Sequence, residues 1–223
     1  MDESTLQAGS GDLTSVCVRG RWITLRPVER ADFRTFFTWQ SDITESHLWT
    51  TQGRRIVTFE QFVPEFERRL RDSIVLLADD LRTEQPVGFT RAYNINFVDG
   101  TVYGQTFVAR EYRRRPHVWE LAALFAEYVF KQFPMRKLYA EAPAHNEYAL
   151  RLYARVGFKN EGRLRDHIWH DQQYWDWHVT SLSREDWLTA RQRAQILLQV
   201  EEDVLTSRQE NGSNVLASTG DAR

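Results

Sequence analysis

The stretch Asn146-Glu-Tyr-Ala-Leu-Arg-Leu-Tyr153-Ala-Arg-Val-Gly157-Phe158 reads as one helix with both ends marked, followed by an extended segment. Asn146 caps the first turn, because its short side chain accepts from backbone N–H groups that have no helical partner. Glu147 places negative charge beside the positive end of the helix dipole. Ala149, Leu150, Tyr153 and Val156 share one face at helical spacing and leave Arg151 and Arg155 outside. Gly157 supplies the left-handed residue that stops the helix. A tyrosine on such an inner stripe is ordinarily core packing, so its meaning depends on what surrounds it.

Working outward, 223 residues with 42% hydrophobic and 13% aromatic side chains are enough for one packed domain. Lys and Arg number 29 against 31 Asp and Glu, a net charge of −2. That balance excludes nucleic-acid binding over the whole surface while leaving room for a local basic patch. A single cysteine, Cys17, excludes an internal disulfide and a multi-cysteine metal site. No apolar run reaches the length of a membrane span, since even Val118–Phe130 is interrupted by Glu120 and Glu127. The first residues lack the basic and apolar regions of a secretory signal. The expectation is a soluble cytoplasmic chain with no membrane partner.

In chain order, residues 1–17 read as a polar, disordered lead-in. Residues 18–187 read as the folded domain. Arg21–Arg26 alternates as a half-buried strand before Pro27, and Ala31–Gln40 sets Phe33, Phe36 and Phe37 on one helical face. Thr58-Phe-Glu-Gln61 fits a capping box, opening a helix with a Phe59, Phe62, Val63, Phe66 and Leu70 stripe. Ile74–Ala78, Pro86–Asn94 and Thr101–Val108 read as three strands in meander. A helix from about Val118 to Phe133, a strand Lys137–Ala142, the opening helix, and strands Phe158–Arg165 and Tyr174–Ser181 follow. That alternation predicts parallel neighbours joined by right-handed crossovers. A further helix from Ser183 continues through residues 188–205, packing on its own domain or on a second copy in a homodimer. Residues 206–223 read as a disordered tail.

Asn opening a helix, the Ala149-x-x-x-Tyr153 step, Gly157-Phe158 and Glu161-Gly162 together resemble the GNAT superfamily of N-acyltransferases. Leu25-Arg26-Pro27 is also similar to the way its RimJ/RimL-like branch opens its first strand. The resemblance implies an α+β fold: a mixed, twisted sheet of about seven strands flanked by helices, here with an extra C-terminal helix. It implies attack of a neutral primary amine, on a small molecule or a protein N-terminus, upon the thioester of acetyl-CoA or another acyl-CoA. Tyr153 matches the family tyrosine that protonates the departing thiolate, and a phenol can donate to sulfur. Asn146 matches the coenzyme-A-contacting asparagine; the plain alternative is an N-cap, and one residue can do both jobs. Phe107, Val108 and Ala109 end the strand whose backbone would pair with the pantetheine arm.

The pyrophosphate loop departs from the family pattern. Aligning Arg113 with its first position puts Pro116 and Val118 where small residues belong, and proline offers no N–H. Positive charge is gathered instead in Arg113, Arg114 and Arg115, with His117 and Val118 beginning the helix. Three readings follow: arginine forks holding the coenzyme A phosphates, an aminoacyl-tRNA or carrier-protein donor meeting a basic surface, or an inactive binding domain. A solvated basic run is the plain alternative.

The base is open. Glu120 lies early in the helix and would also complement its dipole. Asp176 and His178 share a face of the last strand, and His178 accepts a proton near neutral pH. Tyr103 and Gln105 share the face of their strand from which acceptor contacts come. Trp49 and Trp175 would line an aromatic pocket, although aromatics on strands are commonly core. His167-Ile-Trp-His170 falls in an expected strand turn, where ligands diverge, so no metal is expected.

Overall fold

A computed structural model describes residues 18–42, 44, 46, 56–113 and 116–194. Trp49, Arg114, Arg115, the lead-in and the tail lie outside the described residues. The strands are β1 (Val18–Arg19), β2 (Ile23–Pro27), β3 (Ile74–Asp80), β4 (Pro86–Asn96), β5 (Thr101–Val108), β6 (Lys137–Pro143), β7 (Lys159–His170) and β8 (Gln173–Ser183). Among the described residues the helices are α1 (Phe33–Ser41), α2 (Phe59–Arg71), α3 (His117–Gln132), α4 (Glu147–Val156) and α5 (Arg184–Ala194).

The strands form one sheet in the order β1-β2-β3-β4-β5-β6-β8-β7. Every pairing is antiparallel except β5 with β6. The eighth strand, beyond the expected seven, is the two-residue β1. The expected parallel neighbours hold only for β5 and β6, because β8 inserts between β6 and β7. Burial explains the choice. Thr180, Ser181 and Leu182 of β8 are buried, whereas charged β7 is exposed over most of its length and suits an edge.

Side-chain alternation divides the sheet into two faces. On one, Ile23, Leu25, Leu76, Val102, Leu138 and Leu182 meet α3 through Leu121, Leu124, Phe125 and Val129. On the other, Val75, Leu77, Phe89 and Phe107 meet Phe33 and Phe36 of α1 and Phe62 and Phe66 of α2. The rings lock closely, with Phe36 4.6 Å from Phe66 and 5.1 Å from Phe89. Each such buried ring contributes about 1.5–3 kcal/mol by removal from water.

The local signals form as read. Thr58 accepts from Gln61 N while Gln61 accepts from Thr58 N, closing the capping box. Asn146 accepts from Ala149 N at 3.2 Å, and Gly157 ends α4 at φ 106°. Of the C-terminal helix, Arg184–Ala194 is described, and it packs on its own domain. Trp187 is fully buried there and donates from Nε1 to Glu127 Oε2 at 2.9 Å. His167 and His170 lie within β7 rather than in a turn. The turn is Asp171–Gln172, both at positive φ.

Candidate active site

The parallel strands β5 and β6 pair from Thr101↔Lys137 to Gly104↔Ala140 and then part, although both continue. Gly104 marks the last tight point. A Cβ there would meet Phe125 at 2.7 Å and Leu138 at 2.9 Å, so α3 sits close only because the residue is bare. At its far end β5 is held toward β4, where the absence of a side chain on Gly88 makes room for the Phe107 carbonyl. The result is a gap between β5 and β6, open beyond Gly104.

Two groups meet at this gap from opposite faces. Tyr153 reaches it from α4, its hydroxyl donating to the Glu141 carbonyl oxygen at 3.4 Å. Burial pushes the Tyr153 phenol up to about 12, and the negative charge of Glu141 adds to the effect. The Glu141 carboxyl lies on the α1/α2 face, among Trp177 and Tyr93. Burial raises its pKa, while hydrogen bonds from Trp177 and Tyr93 and the neighbouring His167 pull the other way. A proton donor and a proton acceptor therefore flank one opening.

Register organises the rest of that face into rows. Tyr93 pairs with Tyr103, which pairs with Tyr139, and the rings follow suit at 5.7 Å and 5.1 Å. The next row is Arg91, Gln105 and Glu141: Arg91 pairs with Gln105, which stands one step past Gly104 as Glu141 stands one step past Ala140. Desolvation raises the pKa of Tyr93 and Tyr103, so both phenols stay protonated at neutral pH. A floor of neutral aromatic rings with one carboxylate is suited to an organic amine.

At the other end of the gap, Pro116 is the N-cap of α3 and supplies no side-chain cap, so the first amides of the helix keep their donor capacity. The Val118 side chain is 4% exposed and packs in the core, so its bulk does not crowd the loop as the alignment suggested. The His117 side chain is also turned inward, with Nε2 2.7 Å from Asp80 Oδ2. Only its backbone N–H remains for a ligand. Arg113 donates from Nε to the Val108 carbonyl at 2.9 Å, and Ala109 N donates to Val87 O at 2.9 Å. Those two backbone groups are used within the protein, which narrows the pantetheine edge to the residues before them.

The other base candidates are engaged elsewhere. Glu120 is buried against β2, where its carboxylate accepts from the backbone N–H groups of Arg21, Trp22 and Ile23. Sheet order puts β2 three strands from β5. Asp176 pairs with Arg163 at 3.0 Å and accepts from Asp166 N at 3.0 Å, holding the irregular middle of β7. His178 alternates with Trp177 and so lies on the face opposite Glu141. Trp175 donates to the His170 carbonyl and packs its ring 5.2 Å from His145, serving the β7–β8 hairpin. Sequence reading passed over Glu141, Tyr93, Tyr139 and Arg91. Tyr139-Ala-Glu141-Ala looked like any alternating strand, and the one available signal was a carboxylate at the end of a strand facing two others with tyrosines in phase. Among the described residues no three His, Cys, Asp or Glu converge as a metal site, and no helix is long and apolar enough to cross a membrane.

Known proteins share this fold. Residues 25–179 match the family described as acetyltransferase (GNAT) domain. The curated spermidine N(1)-acetyltransferase of Escherichia coli (strain K12) is 24% identical over 156 residues, covering 68% of this chain and 81% of the relative. The spermidine N(1)-acetyltransferase of Vibrio cholerae is 21% identical, covering 69% and 88%. Among solved structures, the Vibrio cholerae spermidine N-acetyltransferase in complex with CoA and spermine superposes with a TM-score of 0.69 at 20% identity, covering 75% of this chain and 98% of its own. A GCN5-related N-acetyltransferase from Brucella melitensis gives 0.67 at 22%, covering 80% and 83%.

Proposed function

The chain belongs to the acetyltransferase (GNAT) family, and on that premise we propose that it moves an acetyl group from acetyl-CoA to a primary amine across the β5–β6 gap. The observation that carries the reading is the pairing of Tyr153 and Glu141 at that gap. The amine nitrogen attacks the thioester carbonyl carbon, the carbon–sulfur bond breaks and an amide forms. Glu141 takes the amine proton and Tyr153 donates to the thiolate; solvent then returns the proton from one to the other. Burial suits both roles, raising Glu141 toward proton acceptance and keeping Tyr153 protonated.

The two groups are electrostatically coupled. While Glu141 is ionised, its charge helps hold the Tyr153 proton. Once Glu141 has accepted a proton that restraint is gone, so the phenol becomes a better acid as the thiolate departs. The α3 N-terminus, which Pro116 leaves without a side-chain cap, and the CoA in the solved complex of the Vibrio cholerae relative support coenzyme A as the carrier of the acetyl group. Within the family, Leu25-Arg26-Pro27 and the spermidine-acetylating relatives support a place among the enzymes of small amines, the RimJ/RimL-like branch included. The transferase unit is taken as residues 18–187, working as a cytoplasmic enzyme.

The test is release of free thiol from acetyl-CoA in the presence of a panel of primary amines, followed with a thiol reagent. The reading expects amine-dependent release and a higher melting temperature with coenzyme A. No thiol above the rate of hydrolysis and no thermal response to coenzyme A, together with a salt-sensitive response to tRNA, would replace it with a nucleic-acid-borne donor.

A further inference from the structure

The relatives act on spermidine, which carries positive charge along its whole length, yet the acceptor face here presents a cation of its own. Arg91 and Glu141 occupy the same cross-strand row with Gln105 between them. Paired strands lie about 4.8 Å apart, so two strand steps set a lower bound of about 10 Å between the Arg91 and Glu141 backbones, and the parting of β5 from β6 beyond Gly104 adds to it. Both side chains project from the α1/α2 face, and beside the row lie the rings of Tyr93, Tyr103 and Tyr139.

Arg91 is set in place. Its Nε donates to Ser73 Oγ at 3.0 Å and its Cζ lies 4.8 Å over the Tyr93 ring. Neither contact supplies negative charge, since Tyr93 is a neutral phenol. Among the described residues no carboxylate forms an ion pair with Arg91, and none accepts from its two terminal nitrogens. The carboxylate of the adjoining turn, Asp72, pairs with Arg68. Arg69 and Arg68 on α2 add positive potential around it. Burial lowers the pKa of Arg91, with Tyr93 and Asp72 opposing and Arg68 reinforcing. A half-buried cation without an anion is poorly stabilised by the protein alone. An arginine fork with free terminal nitrogens is the group that takes a carboxylate or phosphate in two parallel hydrogen bonds.

Resting on the acceptor placement above, we propose that Arg91 is the anion-recognising end of the acceptor site, so that the substrate is an amine that also carries an anionic group. The amino group sits at Glu141, where it loses its proton, and a carboxylate or phosphate two strand widths or more away sits at Arg91. An ω-amino acid, a short peptide reacting at its N-terminus and an aminoalkyl phosphate all have this form. A polyamine would set a second ammonium against the guanidinium, and like charges there repel.

The experiment compares four probes: 6-aminohexanoate, 4-aminobutyl phosphate, hexylamine and spermidine. Binding to the protein with coenzyme A present is measured by calorimetry, and acetylation is measured separately by thiol release. The expected result is tenfold or tighter binding of an anionic amine than of hexylamine, with spermidine weakest. In Arg91→Gln the ratio of kcat/KM for the anionic amine over hexylamine falls at least tenfold, and Arg91→Lys restores part of it. The two anionic probes distinguish a carboxylate from a phosphate as the recognised group. Preference for spermidine, equal loss for every amine in Arg91→Gln, or no binding of either anionic probe overturns the inference. Arg91-dependent binding without acetylation of any amine would leave it standing and remove the acetyl-transfer reading instead.

Discussion

The Tyr153 hydroxyl lies 3.4 Å from the Glu141 carbonyl oxygen, at the point where two parallel strands have just ceased to pair. One residue therefore links the two sides of the gap: its backbone carbonyl accepts from Tyr153, and its carboxyl lies on the opposite face, where the proposed amine would enter. Expected outcomes follow for both ends of that link.

Tyr153→Phe removes the proton donor while keeping the ring against Phe158, whose centroid is 5.4 Å away. Turnover is expected to fall by about 100-fold or more, the usual scale for general acid catalysis, with KM for acetyl-CoA little changed. Steady-state kinetics on the folded variant checks this, and unchanged kcat would remove Tyr153 from the chemistry. Because its pKa is about 12, the wild-type pH profile should show no alkaline limb from this residue in the ordinary range.

Glu141→Gln keeps a hydrogen-bonding partner for Trp177 and Tyr93 but cannot take a proton. A base works only when ionised, and burial holds Glu141 above the usual carboxylate range. Wild-type kcat/KM should therefore decline as pH falls through that raised pKa. In the variant the rate is expected to drop by about 100-fold and the acidic limb to vanish. A pH–rate profile that keeps its acidic limb would assign the base elsewhere.

Asp80→Asn strikes at the foundation of the α3 N-terminus. Burial pushes the Asp80 carboxyl up, but hydrogen bonds from His117 and from the Thr83 and Arg82 amides outweigh it and bring it down to about 2. An unfolded aspartate titrates near 3.9 (roughly), so this stabilisation is present above about pH 4 and is lost as pH falls through about 2. Weakening the hydrogen bonds of a buried group of this kind costs about 1–3 kcal/mol. Urea melts at pH 7 and pH 3 should show the gap between wild type and variant narrowing in acid.

Gly88→Ala tests the shape of the gap without touching a reacting group. The new Cβ would collide with the Phe107 carbonyl, and both atoms belong to or adjoin backbone, so β5 has to move. A destabilisation of about 1–3 kcal/mol is expected, read as a lower melting temperature, together with a raised KM for acetyl-CoA. A normal melting temperature would mean that the two strands tolerate the shift.

Local physics made much of this protein legible from its residues. The Asn146 cap, the Gly157 stop and the Thr58–Gln61 capping box are decided within one helical turn, and each forms as its side chains dictate. Apolar periodicity located α1 and α2, and the ordered run of Asn146, Ala149, Tyr153, Gly157-Phe158 and Glu161-Gly162 marked the acetyltransferase family. Glu120 shows where such reading stops. A carboxylate in the first turn of a helix suits the dipole from sequence, yet here the tertiary fold brings three backbone amides of β1–β2 to it from about a hundred residues away.

The sequence by itself determined most of the elements, the capped ends of α2 and α4 and the family, because caps, glycines and hydrophobic stripes act between neighbours in the chain. Only the tertiary structure decided that β8 lies inside β7, that β5 and β6 part after Gly104, and that Arg91, Gln105 and Glu141 stand in one row. Those relations depend on register between strands far apart in sequence, and a shift of one residue would send every one of these side chains to the opposite face. Tyr153 stands out as the candidate acid from its own segment. Glu141 became its counterpart only when three strands were set side by side.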